Sequence, residues 1–337
     1  MASSKIRSKR GIQPARIHNK LKVFPFAIND FLIYTEYFIV ASCCLVEDRI
    51  KNAMILQIFK SLLVFFCLLI YCVSAGGAQI LLFWCKPAIR IKAVNRLTYW
   101  LMHIFKIIGQ FKIKINGNKK ILKQKGLFII STHVGYIDGL ILGTLLPGSY
   151  TTKSEIKDTP VLGAVVSIGQ SIFIDRSKKS EIYNYIHVVS ERLKSGINVF
   201  NFPEGHASNG THILPFFKAF FDAPLKVKAP IVPIMIDYKA LDGKTDYDRD
   251  LVYCADGKSS IIKHLWKLFK YHSLDIEVTL LHPIESNGHL PNAKGRKEIS
   301  DLCMQRLAAH KNLPIAEFNP LSRREPSKTR AVDLSRT

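Results

Sequence analysis

The sequence predicts an α/β fold, with a largely parallel central sheet flanked by helices and preceded by N-terminal membrane-associated helices. From residue 111 onward, short β-rich runs alternate with helical patterns, as in domains built on parallel strands. Runs such as Leu127-Phe-Ile-Ile130 are apolar throughout, which suits interior strands that are covered on both faces. An uncharged stretch at residues 61–85 predicts the membrane association.

The predicted strands and helices together define a domain at residues 111–315. Strands are predicted at residues 111–115, 127–132, 172–175, 198–202, 231–236 and 276–281. Helices are predicted at residues 137–146, 160–168, 180–195, 260–271 and 295–310. The remaining tail, residues 316–337, is polar and rich in Arg and Ser, and we expect it to be disordered.

Residues 1–110 are predicted to form a basic arm, a membrane segment and an amphipathic helix. The uncharged segment has 25 residues, from 61 to 85, and as a straight helix it would be roughly 37 Å long, enough to cross a hydrocarbon core of about 30 Å. Residues 89–108 mix basic, aromatic and apolar side chains, a pattern typical of helices at a membrane surface. A second apolar stretch, at residues 37–46, is too short to span a bilayer alone.

The orientation of the membrane segment does not follow from its flanks, because lysine and arginine lie on both sides of it. Ser74-Ala-Gly-Gly77, near its middle, could bend it into a kinked or re-entrant pair of half-helices. Either that arrangement or a monotopic one would leave both flanks on the cytoplasmic side. A helix buried in a soluble domain is the alternative interpretation.

The formal net charge of +22 favours anionic partners: nucleic acid, an acidic lipid surface or phosphorylated small molecules. No zinc-finger spacing, helix-turn-helix pattern or aromatic-interleaved strand is present, so a nucleic-acid partner is not predicted. The seven cysteines include no CxxC or His/Cys ligand spacing. The sequence therefore predicts no metal site, and the odd cysteine count fits a reducing compartment.

A candidate base and its partner lie in His133-Val-Gly-Tyr-Ile-Asp138, directly after a predicted strand. The carboxyl end of a strand is the usual ligand site in open α/β sheets. On one helix the two side chains would point roughly 140° apart, so pairing requires His133 to lie in the preceding turn, with Gly135 supplying backbone freedom. A carboxylate that accepts from one ring nitrogen leaves the other as a base. A histidine in a solvent-exposed loop is the competing interpretation.

Two further blocks end predicted strands with polar side chains. Phe202-Pro-Glu-Gly205 places Glu204 on a tight turn in which Gly205 permits unusual backbone angles, and such a carboxylate can accept hydrogen bonds from substrate hydroxyls. Arg176, in Ile172-Phe-Ile-Asp-Arg176, could donate to a phosphate, and Lys153 could add a second cation. An ordinary turn and a surface ion pair are the alternatives.

These blocks, in this order, resemble those of the glycerolipid acyltransferases, the glycerol-3-phosphate and lysophosphatidate acyltransferase group. The resemblance extends over roughly residues 111–281. The matching motifs are the His-x4-Asp pair His133 and Asp138, the basic segment from Lys153 to Pro160 and Gly163, the apolar Asp-Arg block at 172–176, Phe202-Pro-Glu-Gly205, and Pro230-Ile-Val-Pro233.

The resemblance implies transfer of a fatty acyl group from acyl-CoA or acyl carrier protein to a lysophospholipid hydroxyl, most simply that of 1-acyl-sn-glycerol-3-phosphate. His133 would be the general base, Asp138 would orient it, and Glu204 with Gly205 would belong to the acceptor site. The family implies a thioester co-substrate, no cofactor and no metal. It also implies a location at a bacterial inner membrane or an equivalent membrane, with the active site facing the cytoplasm.

One departure concerns the acceptor head group. The family block usually continues Thr-Arg-Ser, with the arginine on the acceptor phosphate, whereas this chain continues His206-Ala207-Ser208. Either Lys153, Arg176 or Lys218 supplies the missing charge, or the acceptor is a lysophospholipid with a larger head group or a lyso-aminolipid.

Two functions outside acyl transfer stay open at this point. A membrane hydrolase could use Ser131 or Ser171 as nucleophile, although the sequence has no Gly-x-Ser-x-Gly elbow. A non-catalytic lipid-binding protein could use the same architecture.

Overall fold

A single seven-stranded sheet forms the centre of this computed structural model, which describes residues 53–159, 161–253 and 261–316. Its strands run in the spatial order β1-β7-β6-β2-β5-β3-β4. They are β1 (Phe111–Gly117), β2 (Phe128–Ser131), β3 (Gly148–Lys153), β4 (Ile172–Ile174), β5 (Asn198–Asn201), β6 (Ile231–Leu241) and β7 (Leu274–Leu280).

Five neighbouring strands of the sheet are parallel: β6, β2, β5, β3 and β4. Strand β7 pairs antiparallel with β6, and β1 pairs parallel with β7, so these two run the other way. The predicted fold class is therefore confirmed. The carboxyl ends of the five parallel strands meet at one side of the sheet, which we call the carboxyl edge.

Helices cover both faces of the sheet. They are α1 (Ala53–Leu81), α2 (Pro87–Ile108), α3 (Tyr136–Leu145), α4 (Leu162–Ile168), α5 (Lys179–Lys194), α6 (Asp222–Val227), α7 (Ile261–Leu268) and α8 (Ala293–Lys311). Phe128 and Ile130 of β2 pack with α5, α6 and α8, whereas Ile129 of β2 and the preceding Leu127 pack with α3 and α7. The alternation of side chains along a strand accounts for these two cores, and the apolar run 127–130 serves both.

The sequence did not predict two elements, β3 and α6, and it ended β6 too early. Strand β3 has the sequence Gly-Ser-Tyr-Thr-Thr-Lys and carries no aliphatic side chain, so no apolar pattern marks it. Its place between β5 and β4 is set by backbone pairing. Helix α6 is six residues long and contains Pro224, and strand β6 continues five residues past residue 236 to Leu241.

Helix α1 is one continuous helix from Ala53 to Leu81, so the helix is not interrupted at Ser74–Gly77, where the sequence allowed a bend. Its segment Met54–Leu81 is long and apolar enough to cross a membrane, with a mean hydropathy of 2.3 in its most apolar window. One stripe of the helix is buried and the rest exposes apolar side chains such as Phe65 and Val73. The short apolar stretch at 37–46, the basic arm and the tail beyond residue 316 lie outside the described residues.

Both ends of α1 are hydrogen-bonded to the sheet domain. Near its start, Lys60 is buried and its Nζ donates to the carbonyl oxygen of Tyr271 at 2.8 Å. Near its end, the Gln79 side chain donates to the carbonyl oxygen of Ile168 at 3.1 Å. A helix of 29 residues measures about 43 Å, so α1 lies along the domain over its whole length.

Candidate active site

His133 lies in the turn between β2 and α3, at the carboxyl edge of the sheet. Its ring stacks on the ring of Phe202, with centroids 4.2 Å apart and an angle of 21° between the planes. The side chain keeps 23% of its surface exposed. The imidazole is thus fixed by the aromatic ring on one side and remains accessible to a ligand.

The Asp138 carboxylate, which is 1% exposed, accepts four hydrogen bonds. Its Oδ2 accepts from His133 Nδ1 at 2.9 Å and from the backbone N–H groups of Val134 at 2.7 Å and Gly135 at 3.0 Å. Its Oδ1 accepts from the Tyr238 hydroxyl at 2.6 Å. Since Asp138 also lies in the first turn of α3, the positive end of the helix adds to its stabilisation as an anion.

This geometry determines which ring nitrogen of His133 is free. An ionised carboxylate only accepts hydrogen bonds, so His133 Nδ1 carries the proton and Nε2 holds a lone pair. The five-residue spacing permits the contact because α3 begins at Tyr136 and leaves His133 outside the helix. The turn does not require the backbone freedom of glycine that was expected at Gly135, because its φ of 176° is extended backbone that any residue adopts.

Tyr238 is a member of this network that the sequence did not predict. Burial, followed by the charge of Asp138, raises the pKa of Tyr238 well above its ordinary value of 10.0, so the hydroxyl stays protonated as a donor. The residue lies two positions past the predicted end of β6. The alternation of Val232, Ile234 and Ile236, which pack on the α3 face, places Tyr238 on that face once the strand is extended.

Glu204 is buried, with 3% of its surface exposed, and follows β5 at the same edge. Among the described residues, neither carboxyl oxygen has a hydrogen-bond partner of normal geometry. Burial raises the pKa of Glu204 well above its ordinary value of 4.5, and the charge of Asp138 raises it further. The backbone N–H groups of His133 and Leu214 oppose this rise; they are close enough to act on the charge without forming aligned hydrogen bonds.

Gly205 is required by both its backbone and its neighbour. Its φ is +79°, and a Cβ at this position would lie 1.7 Å from a terminal nitrogen of Arg176. The guanidinium of Arg176 therefore packs directly against the turn that carries Glu204. The preceding residue, Asp175, accepts hydrogen bonds from Ser177 and pairs with Lys178 at 3.0 Å.

The other predicted cations lie at different places. Lys153 is the last residue of β3 and pairs with Ile174 of β4, so it lies at the same edge of the sheet as Arg176. Its side chain is half-buried. Lys218 is exposed at the start of a short 3₁₀ helix that precedes α6. Ala207 is half-buried, two residues beyond Gly205.

The two sequence blocks are joined by a backbone hydrogen bond. The N–H of Ser208 donates to the carbonyl oxygen of His133 at 2.7 Å. Gly210, further along the same loop, approaches Val134 and Tyr253, since a Cβ there would lie 2.9 Å from the Tyr253 ring. The Glu204 turn and the His133 turn thus form one wall of the carboxyl edge.

The arrangement suits general base catalysis by His133. The hydrolase alternative finds less support, because Ser131 is fully buried and its hydroxyl has no hydrogen-bond partner among the described residues. Ser171 precedes β4 and so lies at the edge opposite to His133. Neither serine is hydrogen-bonded to a histidine within this part of the chain.

Comparison with known proteins shows which family this fold and this site resemble. The family model described as acyltransferase matches residues 112–237. The resemblance predicted from the motifs is therefore confirmed over residues 112–237.

Two similar relatives are named for different acceptors. The lyso-ornithine lipid O-acyltransferase of Pseudomonas aeruginosa is 26% identical over 195 residues, which cover 58% of this chain and 72% of that protein. The 1-acyl-sn-glycerol-3-phosphate acyltransferase of Neisseria gonorrhoeae is 32% identical over 119 residues, which cover 35% of this chain and 47% of that protein.

A solved structure has the same fold. The crystal structure of the 1-acyl-sn-glycerophosphate acyltransferase of Thermotoga maritima aligns with a TM-score of 0.52 at 17% identity, and the alignment covers 80% of this chain and all of that one. This likeness shows that the two chains share a fold.

Proposed function

We propose that the domain at residues 111–315 transfers an acyl group from a thioester to the free hydroxyl of a lysolipid. The observation that carries this proposal is the hydrogen-bonded series Tyr238–Asp138–His133, which leaves Nε2 as the ring nitrogen of His133 that can act as a base. The relatives named lyso-ornithine lipid O-acyltransferase and 1-acyl-sn-glycerol-3-phosphate acyltransferase support the same chemistry.

His133 Nε2 takes the proton of the acceptor hydroxyl as its oxygen attacks the thioester carbonyl carbon. The resulting imidazolium is stabilised by Asp138, whose charge is held by four donors. When the tetrahedral intermediate collapses, the C–S bond breaks and the imidazolium returns the proton to the thiolate. The reaction needs both substrates bound together, no covalent acyl-enzyme and no cofactor, and the donor is acyl-CoA or acyl carrier protein.

The first candidate acceptor is 1-acyl-sn-glycerol-3-phosphate, which would give phosphatidic acid. Arg176 packs against the Gly205 turn, and Lys153 lies at the same edge; these positions support a role for both cations in binding a phosphate monoester. Glu204 would accept a hydrogen bond from the glycerol backbone. Lys218, which is exposed, would add charge at the entrance of the site.

The second candidate acceptor is a lyso-ornithine lipid. The observation that favours it is Ala207, which stands where the family usually has a phosphate-binding arginine. Relatives named for this acceptor, from Pseudomonas aeruginosa and Rhizobium meliloti, match 58% of this chain each. A head group without a phosphate monoester would not need the missing guanidinium.

We also propose that α1 lies in the membrane plane and enters one leaflet, on the cytoplasmic side where thioester donors occur. The hydrogen bonds of Lys60 and Gln79 hold both ends of α1 on the domain, so a helix perpendicular to the membrane would draw the charged domain into the bilayer. Exposed Phe65, Phe66 and Ile70 would face the acyl chains.

An acceptor assay with an Ala207→Arg variant tests the proposal. Purified full-length protein would be offered acyl-CoA or acyl carrier protein with lysophosphatidate, glycerol 3-phosphate, lyso-ornithine lipid and other lysophospholipids, and the products would be identified by mass. If lysophosphatidate is the acceptor, Ala207→Arg should raise kcat/KM for it by about 10-fold or more, the value of one added charge-assisted hydrogen bond.

Ala207→Gln is the matched control, because glutamine adds length without charge. A preference of the native protein for lyso-ornithine lipid would replace lysophosphatidate by the second acceptor. Consumption of the thioester at the same rate with and without every lysolipid would contradict acyl transfer and support a hydrolase.

A further inference from the structure

Helix α7 exposes an apolar stripe beside a basic one. Ile262 is 77% exposed and Trp266 is 40% exposed, and a spacing of four residues places them on one face of the helix. Next to them, Lys263 and Lys267 are exposed at the same spacing, and Lys270 follows the helix. Exposed large apolar side chains bordered by cations are typical of helices that lie in a membrane interface.

The opposite face of α7 is anchored close to the catalytic turn. His264 is buried, its Nδ1 is 2.9 Å from the hydroxyl of Tyr136, and its Nε2 is 3.0 Å from the carbonyl oxygen of Asp250. Tyr136 is the first residue of α3 and lies between His133 and Asp138 in the sequence. Helix α7 therefore has two faces: the buried face contacts the active-site motif through Tyr136, and the opposite face is exposed.

The start of α1 adjoins the same helix. The side chain of Gln57 donates to the carbonyl oxygen of Trp266 at 2.9 Å. On either side of Gln57, Met54 is 57% exposed and Ile58 is 43% exposed. The exposed apolar side chains at the start of α1 thus lie on a helix that is hydrogen-bonded to α7.

We propose that α7 is a second lipid-contacting element, which inserts Ile262 and Trp266 into an anionic membrane surface. The three lysines of this surface, Lys263, Lys267 and Lys270, bind the phosphates of the lipid head groups. The inference goes beyond the acyl transfer proposed above. It rests on the membrane position proposed there for α1, and not on the enzymatic activity.

The residue types fit this partner better than a soluble one. Tryptophan is enriched at the head-group level of membranes, where its ring is apolar and its N–H can bond to water or lipid. Each lysine next to an anionic surface changes the binding equilibrium by roughly fivefold. Contact through α7 would hold the His133 turn at the depth where a lysolipid hydroxyl is available.

Tryptophan fluorescence tests the contact at α7 itself, since the chain has three tryptophans, Trp84, Trp100 and Trp266. In the full-length W84F/W100F variant, Trp266 is the single emitter. The variant would be reconstituted with vesicles of phosphatidylcholine and phosphatidylglycerol in equal parts, with and without bromine on the phosphatidylcholine acyl chains. We expect brominated lipid to quench Trp266, and to quench it less in vesicles of phosphatidylcholine alone.

The lysine contribution has a matched control. Added to the single-Trp266 protein, K263Q/K267Q/K270Q should remove the extra quenching that phosphatidylglycerol causes, a change of up to roughly a hundredfold in the docking equilibrium for three lysines. Three exposed lysines of the 3₁₀ helix after β1 serve as the comparison, and K119Q/K120Q/K123Q should leave that quenching unchanged.

Two outcomes would overturn the proposal. In the first, brominated lipid leaves Trp266 unquenched while it quenches Trp84, at the end of α1, in the W100F/W266F variant; this result would refute the α7 contact and keep α1 in the membrane. In the second, Trp266 is already shielded from acrylamide without vesicles, which would mean that another part of the chain or a second copy covers α7. Neither measurement depends on acyl transfer, so failure of the proposed activity is seen separately.

Discussion

Two buried carboxyl groups, Asp138 and Glu204, lie at the carboxyl edge beside the same histidine and have opposite surroundings. Asp138 accepts four hydrogen bonds, whereas Glu204 has no partner of normal geometry among the described residues. Both side chains are almost fully buried, at 1% and 3% exposure. The difference between them is therefore the supply of donors and not the depth of burial.

In the proposed mechanism, this difference favours different tasks for the two groups. Asp138 is stabilised as an anion before any substrate binds, which suits a group that orients His133 and stabilises its charged form. Glu204 is buried without that compensation, which favours its neutral form and leaves acceptor capacity for a ligand. One carboxyl is satisfied by the protein, and the other is available to the substrate.

The largest effect is expected when the base supported by Asp138 is removed. His133→Ala should lower kcat for acyl transfer by about 10²- to 10⁴-fold, the usual contribution of a positioned general base. Asp138→Asn should come close to this loss, because an amide cannot accept all four donors that now point at the carboxylate. Both rates would be measured with saturating thioester and lysolipid.

His187→Ala is the control for these variants, since His187 is exposed on α5. It should keep full activity. Undiminished transfer by His133→Ala would rule out the proposed mechanism, provided that circular dichroism shows the variant to be folded.

The second effect concerns Glu204 and has a readout in stability as well as in activity. Glu204→Gln should lower kcat/KM for the acceptor by about 2- to 10-fold, the net contribution of one hydrogen bond between the neutral carboxyl group and the substrate. Burial raises the pKa of Glu204 in the folded state. The contribution of this group to the free energy of unfolding is therefore fully present below its ordinary pKa of 4.5, and it is lost as the pH rises through the raised pKa. The glutamine variant does not titrate there.

We therefore expect the free energy of unfolding of Glu204→Gln, relative to the native protein, to rise as the pH increases above 4.5. Denaturant titrations over a pH series measure this difference. Glu285→Gln, at an exposed position, should show no such trend. A pH-independent difference for Glu204→Gln would mean that Glu204 is already paired in solution.

The smallest effect is expected from Tyr238→Phe, which takes one donor of four from Asp138. The free energy of unfolding should fall by about 1.5–3 kcal/mol, the contribution of a buried hydrogen bond to a charged group. Activity should fall far less than in His133→Ala, because three donors still hold Asp138. Tyr183→Phe, at a position that is 71% exposed, is the stability control, and an equal loss in both variants would contradict the role given to Tyr238.

Much of the fold and part of the site could be predicted from the sequence because their signals are local. The apolar run 127–130 indicates a strand covered on both faces, and the order of the His133 and Glu204 blocks indicates the family. Strand β3 could not be predicted, because its polar sequence carries no such signal and its place depends on pairing with β4 and β5.

The position of the cations proposed for the acceptor site also could not be predicted from the sequence. The sequence offered Lys153, Arg176 and Lys218 as equal candidates for the charge missing at Ala207. The structure brings Arg176 against Gly205, puts Lys153 at the same edge, and leaves Lys218 exposed. Which of them contacts the turn depends on the order of the strands, which local sequence patterns do not encode.

The sequence alone determined the fold class, the apolar helix and the residue types of the two blocks, since these depend on periodicity, length and short spacings. Only the tertiary structure decided how Asp138 and Glu204 differ. The donors of Asp138 include Tyr238, 100 residues away in the chain, whereas Glu204 is buried without an aligned hydrogen-bond donor among the described residues. A carboxylate's charge state depends on everything packed around it, and that packing exists only once the sheet has assembled.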